Sequence, residues 1–309
     1  MVKEPQLRDG FERVGALHMS PNQLVHALCQ APAGCAFLLT VEENDLAPDV
    51  AADLQVAMHV AAVAINAIDM WASDYPSRVD LALEHGPRLM PLAEAMLAQP
   101  AARSWFAPVD REAQWVILGD EGDVTPAELV TPSSPPTGWE RYAQKLEGTE
   151  YSSTAAGDTC AILIAMEHHA GDFYPPSPIR RYRLRASPAA RVYEVDGPQA
   201  WHQLATRYPA LDEEGRTVPD WGLVAGDWDA IHLSLGGLLT AQLVRVEGRS
   251  GFTELQSWDS EQTAWLRWCF DEVERLPDLA QVPEVPFPVD PPGRLSFPAL
   301  YPRPGSLPA

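Results

Sequence analysis

The sequence predicts an α+β protein. A mainly helical part over residues 21–100 leads into a mixed β-sheet domain with flanking helices over 101–275, and a proline-rich tail covers 276–309. Residues 1–20 form a lead-in. Three observations carry this prediction. Apolar residues recur at helical spacing between residues 48 and 98. After residue 101, short β-rich runs separated by Gly, Pro and Asp replace them. From Leu276 the prolines become too dense for helix or internal sheet.

Taken in order, Pro21-Asn22 opens an amphipathic helix with Leu24, Val25 and Leu28 on its apolar side. Cys35–Val41 is a short apolar run between Gly34 and Glu42-Glu43-Asn44, and it reads as a buried strand. A long helix is expected from Pro48 to Ala72. Pro48 suits its first turn, Asp49 and Asp53 complement the positive helix start, and two apolar stripes predict burial on most sides. His59 belongs to the polar remainder of that helix. A second helical stretch, Ser77–Ala98, has Ser77 as N-cap and a break at Gly86-Pro87.

Beyond residue 101, Gln114–Leu118 reads as a strand. Residues 119–138 form a long Gly/Pro/Ser-rich loop, the best candidate boundary. Thr159–Met166, Arg181–Arg185 and Arg191–Val195 read as strands, and Gln199–Arg207 as a helix. Pro219-Asp220-Trp221 opens a short helix. Ala230–Leu235 alternates like a half-buried strand, with Gly236-Gly237 as a strand-to-helix turn, and Phe252–Ser257 is one more strand. Ser260–Val273 reads as a helix capped by Asp259 or Ser260. The tail is extended, with Phe287, Phe297, Leu300 and Tyr301 as anchors onto the body.

Composition bounds the function. Forty-three acidic against 22 basic residues give a net charge of −21. Such a chain repels phosphate backbones and anionic lipid, which argues against nucleic-acid and membrane partners and for a soluble cytoplasmic protein. An acidic surface also suits a basic protein partner. Of the bases only Lys3 and Lys145 are lysines, which disfavours lysine-dependent catalysis. Residues 1–19 are charged and contain no apolar secretory core. Cys29, Cys35, Cys160 and Cys269 have no metal-binding spacing and are expected as reduced thiols, with Cys160 and Cys269 in the core.

RVYEVDGPQAW from Arg191, with VPDW, DWDAIHLSLGGLLTA and WDSEQTAWL further on, resembles a family of uncharacterised bacterial proteins. The resemblance covers about residues 100–275. It implies one recurring domain and no particular activity.

Three sites are candidates for chemistry. The first is an ADP-ribosyltransferase-like NAD site. Those enzymes use an Arg on an early strand to bind phosphate, a Ser/Thr cluster to order the pocket, and a Glu to stabilise the ribosyl cation. Here Arg141, Ser153 and Glu194 take the catalytic positions, with Ser152, Thr154 and Trp228 as cofactor-binding residues. The order agrees with that pattern. The short Arg141–Ser152 separation does not, and Arg103 or Arg111 fits it better. Glu194 also lacks a Glu or Gln two residues before it. The plain structural alternative makes Ser152–Thr154 a turn and Glu194 a solvent-facing strand residue.

The second candidate joins Glu167, His168, His169 and Asp172 to Asp227, Asp229 and His232. Strand alternation puts Asp229 and His232 on opposite faces, so no metal is assigned. The third is an aromatic surface built from Trp201, Trp221, Trp228, Trp258, Trp265 and Trp268. The leading expectation is a non-catalytic protein-binding domain that uses an acidic, Trp-bearing surface. The alternative is an NAD-dependent ADP-ribosyltransferase-like enzyme. The cofactor stays open.

Overall fold

A computed structural model describes residues 19–68, 75–112, 114–118, 150–152, 179–212, 215–248, 251–256, 258 and 260–280. The fold is α+β, with helices first and strands later. Helix α1 (Pro21–Gln30) starts at a reciprocal cap. The Ser20 hydroxyl accepts from the Gln23 amide, and the Gln23 side chain accepts from the Ser20 amide.

The first correction follows at once. Residues 35–41 are not a strand but the middle of helix α2 (Pro32–Glu43). Every residue from Pro32 to Val41 is buried, so the run has no polar face and its period is hidden. Pro32 sits at the first helical position, where its missing N–H costs nothing. Gly34 lets the neighbours close in: a Cβ there would lie 2.2 Å from the Leu28 carbonyl oxygen and 2.8 Å from that of Leu239.

The single helix expected over 48–72 is two, α3 (Ala47–Ala52) and α4 (Leu54–Ile68). Asp53 interrupts them in an extended conformation and accepts from the Gln55 amide at 2.8 Å, a cap rather than a helical residue. Residues 69–72 lie outside the described residues. His59 is buried inside α4 instead of on a polar face, and burial lowers its pKa.

Helix α5 (Tyr75–Leu97) corrects the next expectation. It begins before Ser77 and runs through Gly86, Pro87 and Pro91 without ending. Both prolines are exposed, as is Leu83, whose carbonyl loses its partner to Pro87, so water replaces that hydrogen bond. Gly86 faces inward, where a Cβ would meet the Cys29 carbonyl oxygen at 2.4 Å. A 3₁₀ helix (Pro100–Phe106) follows and buries Trp105 edge-on against Phe37, with ring centroids 5.7 Å apart.

The strands form two main sheets. β1 (Gln114–Leu118), β3 (Ile179–Ala186) and β11 (Phe270–Leu279) make an antiparallel sheet in the order β1-β3-β11. β2 (Glu150–Ser152), β10 (Gln262–Trp265), β7 (Ala230–Leu233) and β4 (Val192–Val195) make a second in the order β2-β10-β7-β4, with β4 parallel to β7. Between β4 and β7 lie helix α6 (Pro198–Arg207), the pair β5 (Pro209–Leu211) and β6 (Thr217–Pro219), and helix α7 (Trp221–Asp227), which Asp220 caps. Helix α8 (Leu235–Ala241) follows β7 directly. The hairpin β8 (Arg245–Gly248) and β9 (Gly251–Glu254) comes next.

The second sheet is covered on both faces. Ile231 and Leu233 belong to the large core shared with α1–α5 and α8. Ala230 packs with Val192, Trp265, Tyr182 and Leu184 in a smaller core between the two sheets. All four residues of β7 are therefore buried, where the sequence suggested half-burial. The helical part and the strands share one core.

The helix expected over 260–273 is absent. That stretch is β10, a bend, and the start of β11. Its aromatic residues belong to two strands, and Trp265 meets Phe270 across the bend at 4.6 Å. Strand β11 also continues into the expected tail as far as Leu279. It passes through Pro277 on an edge strand, where no ladder amide is needed on the open side. Residues 281–309 and the strand expected at 159–166 lie outside the described residues. No single helix among those described is long and apolar enough to cross a membrane. Helices α1 and α2 pass by composition only as a pair bent by 90°.

Candidate functional site

The second sheet sets up the site through its register. Glu194 on β4 lies opposite His232 on β7, His232 opposite Thr263 on β10, and Thr263 opposite Ser152 on β2. One cross-strand row thus holds Ser152, Thr263, His232 and Glu194, on the face that carries Ala230. Two of the sequence candidates, Ser152 and Glu194, stand at its two ends.

Glu194 does not face solvent. One of its carboxylate oxygens contacts His232 Nδ1 at 2.5 Å, and the other accepts from the Val109 amide at 3.1 Å. His232 Nε2 contacts Glu261 at 3.0 Å. The imidazole side chain is 1% exposed. A neutral imidazole donates from one nitrogen only, so two carboxylates on the two nitrogens select the imidazolium. Burial works to lower the His232 pKa. The hydrogen bonds and charges of Glu194 and Glu261 outweigh it and push it up to about 9.

This chain ends at a cavity of about 90 Å³. His232, Ser234 and Glu261 form its polar wall with Ser104 and Asp110. Leu54 and Met58 of α4 and Trp105 form the apolar wall. A water occupies roughly 10–15 Å³ by the same measure, so the cavity has room for a small polar group. The helical part and the sheet each supply one wall. Ser234 caps α8 by accepting from the Gly237 amide at 3.0 Å, which holds its hydroxyl in place. A larger groove of about 270 Å³ on the first sheet is lined by Glu112, Arg183, Arg185, Glu272 and Glu274. Its charges pair across β3 and β11, Arg183 with Glu274 and Arg185 with Glu272, on an open surface. The small cavity is the better site, because His232 and Glu261 on its wall are buried.

The other sequence candidates are elsewhere. Arg141, Ser153 and Thr154 lie outside the described residues, as do Glu167, His168, His169, Asp172 and Cys160. Trp228 does not join the row. It packs edge-on against Tyr193, centroids 5.1 Å apart, and donates to the Tyr208 hydroxyl at 3.2 Å. Arg111 is held by the carbonyls of Ser187 and Ala190, and Arg103 is exposed on the 3₁₀ helix.

Asp229 and His232 are separate, as strand alternation requires. Asp229 pairs with Arg191 at 3.2 Å and Arg267 at 3.4 Å, and these contacts hold its carboxyl low against the raising effect of burial. Asp227 accepts from the Tyr208 hydroxyl at 2.6 Å, which lowers its pKa. Among the described residues no group of three or more His, Cys, Asp or Glu is arranged to hold a metal.

The tryptophans do not share one surface. Trp201, Trp258 and Trp265 are buried, while Trp221, Trp228 and Trp268 are half-buried. Cys269 is half-buried rather than core, and burial raises its thiol pKa to about 11.

Sequence reasoning missed Glu261, Asp110 and Ser104. The motif WDSEQTAWL carried Glu261 in plain view, but the helix assigned to it hid the pairing with His232. The chain matches no protein family, no curated protein and no solved structure.

Proposed function

We propose that the protein is an enzyme whose chemistry takes place at the cavity beside Glu261, which at about 90 Å³ receives only the reacting end of a ligand. Of the readings the sequence left open, NAD-dependent ADP-ribosyl transfer has the better support. The observation that carries it is the Glu194–His232–Glu261 chain, which puts a carboxylate, held by an imidazolium, at the wall of a small cavity that Leu54, Met58 and Trp105 also line. Loss of nicotinamide from NAD breaks the bond between ribose C1′ and the pyridinium nitrogen. The electron pair leaves with nicotinamide and a cation develops at the ribose. A fixed carboxylate stabilises that cation more in a water-excluded site than it would in bulk solvent. In this reading Glu261 takes the role first given to Glu194. His232 holds Glu261 in place through its Nε2 contact at 3.0 Å. Ser152 stands on the same row by its strand register, while Arg141, Ser153 and Thr154 lie outside the described residues.

The test is nicotinamide release from NAD by the full chain, with Glu261→Gln beside it. The expected result is release by the parent protein, a loss of about 10²–10³-fold in kcat for the variant, and thermal stabilisation by NAD. The absence of both release and stabilisation with the parent protein would overturn the reading.

A second reading, docking of a basic protein partner, is favoured by the net charge of −21 and by the partly exposed Trp221, Trp228 and Trp268.

A further inference from the structure

The cavity rim is the short segment 107–110. Ala107, Pro108 and Asp110 line the cavity, whereas Val109 turns its side chain into the core between the sheets, next to Val192 and Ala230. Val109 is also where the rim is tied to the sheet, through its amide and Glu194. The two oxygens of Glu194 thus serve two different elements, Oε1 the rim and Oε2 the His232 ring. No sequence motif joins these groups: Val109 and Glu194 are 85 residues apart and Glu194 and His232 are 38 apart.

We propose that Glu194 is a positioning residue that couples the cavity rim to the His232 imidazolium, and so sets where Asp110 stands relative to Glu261 across the cavity. The proposal rests on the cavity being the working site, as read above. Only an ionised carboxylate does this work. Both of its partners are donors, and a carboxylate offers two acceptor oxygens. A Gln in its place has one acceptor oxygen and one NH₂ group. While the ring stays protonated, an N–H then faces an N–H, and either the rim or the ring loses its partner; Gln satisfies both only if the ring gives up its proton and Nδ1 becomes an acceptor. Among the described residues, the charged groups around the ring come from three segments. Glu194 faces it from β4, Glu261 from the segment leading into β10, and Asp110 lies across the cavity. Helix α4 presents Leu54 and Met58, the 3₁₀ helix presents Ser104 and Trp105, and α8 presents Leu235.

The coupling is read by NMR on the full chain, with parent protein and Glu194→Gln compared for hydrogen exchange at the Val109 amide and for titration of the His232 ring nitrogens. In the variant we expect the ring midpoint to fall by about one pH unit or more and, at a pH below that midpoint, Val109 to exchange at least about tenfold faster. A role in packing alone would lower the thermal midpoint and leave the ring titration of the folded protein where it was. Should Glu194→Gln fail to fold, the parent protein alone gives the answer. On raising the pH from 7 to 10.5, the Val109 amide shift must follow the ring with a common midpoint. Unchanged Val109 exchange in a folded variant, or a Val109 amide silent while the ring titrates, overturns the proposal. Neither readout involves NAD. Absent nicotinamide release with both results intact would remove the ligand assignment and keep the role of Glu194.

Discussion

Two buried ionic triads sit in different regions of this molecule with opposite charge balance. In the first, one imidazolium, His232, lies between two carboxylates, Glu194 and Glu261. In the second, one carboxylate, Glu254 on β9, lies between two guanidinium groups: Arg78 of α5 at 3.4 Å and Arg245 of β8 at 3.3 Å. The Glu254 side chain is 1% exposed, as buried as His232. Arg245 stacks on Phe252 at 3.8 Å, and Gln256 adds a hydrogen bond to Glu254. That second triad ties a helix of the N-terminal part to the β8–β9 hairpin and lines neither cavity described above. The first has the same burial but borders an opening. Burial of charge alone therefore does not mark a site. A charged chain that ends at a cavity does.

The comparison is broken most forcefully at Glu254. Replacing it with Gln removes the carboxylate that pairs with both guanidinium groups, and urea unfolding should show a loss of about 3–5 kcal/mol with little change in ligand binding at the cavity. A comparable loss of binding would mean that the second triad supports the site as well.

The next largest effect separates the triads by pH. Arginine does not titrate in the accessible range, but His232 does. Its folded pKa is raised, so its contribution to stability is complete below the unfolded value of about 6.5. It is lost as pH rises through about 9. Unfolding free energy measured from pH 6 to 10 should fall over that window in the parent protein. In His232→Gln it should fall much less. Equal slopes would place the imidazole outside the charged form.

The smallest effect calibrates both. Arg185 and Glu272 pair at 3.0 Å across β3 and β11, with side chains 47% and 60% exposed. Arg185→Ala should change stability by less than about 1 kcal/mol, and added salt should shrink the difference further. A larger loss would mean that the ladder on this sheet acts as a network.

Much of the strand and cap chemistry was legible locally. Gln114–Leu118, Arg181–Arg185 and Arg191–Val195 alternate or cluster as strands and are strands. Pro198 and Asp220 mark helix starts through backbone preferences that need no partner. Two failures have different causes. Residues 35–41 form a helix buried on every side, and residues 260–273 form two strands whose aromatic residues imitate a helical stripe. In the first, apolar residues on all faces mask the period that distinguishes helix from strand; in the second, aromatic residues from two short strands fall at helix-like spacing.

The sequence by itself determined the α+β class, the acidic charge, the presence of Glu194 and His232 on separate strands, and the opposite facing of Asp229 and His232. These follow from composition and from periods of 2 and 3.6 residues, which are properties of the chain. Only the tertiary structure decided that Glu194, His232 and Glu261 meet, that the Val109 amide joins them, and that Leu54, Met58 and Trp105 close the other wall. Those contacts join strands and helices far apart in the chain. Strand order and register bring them together, and no local pattern encodes either.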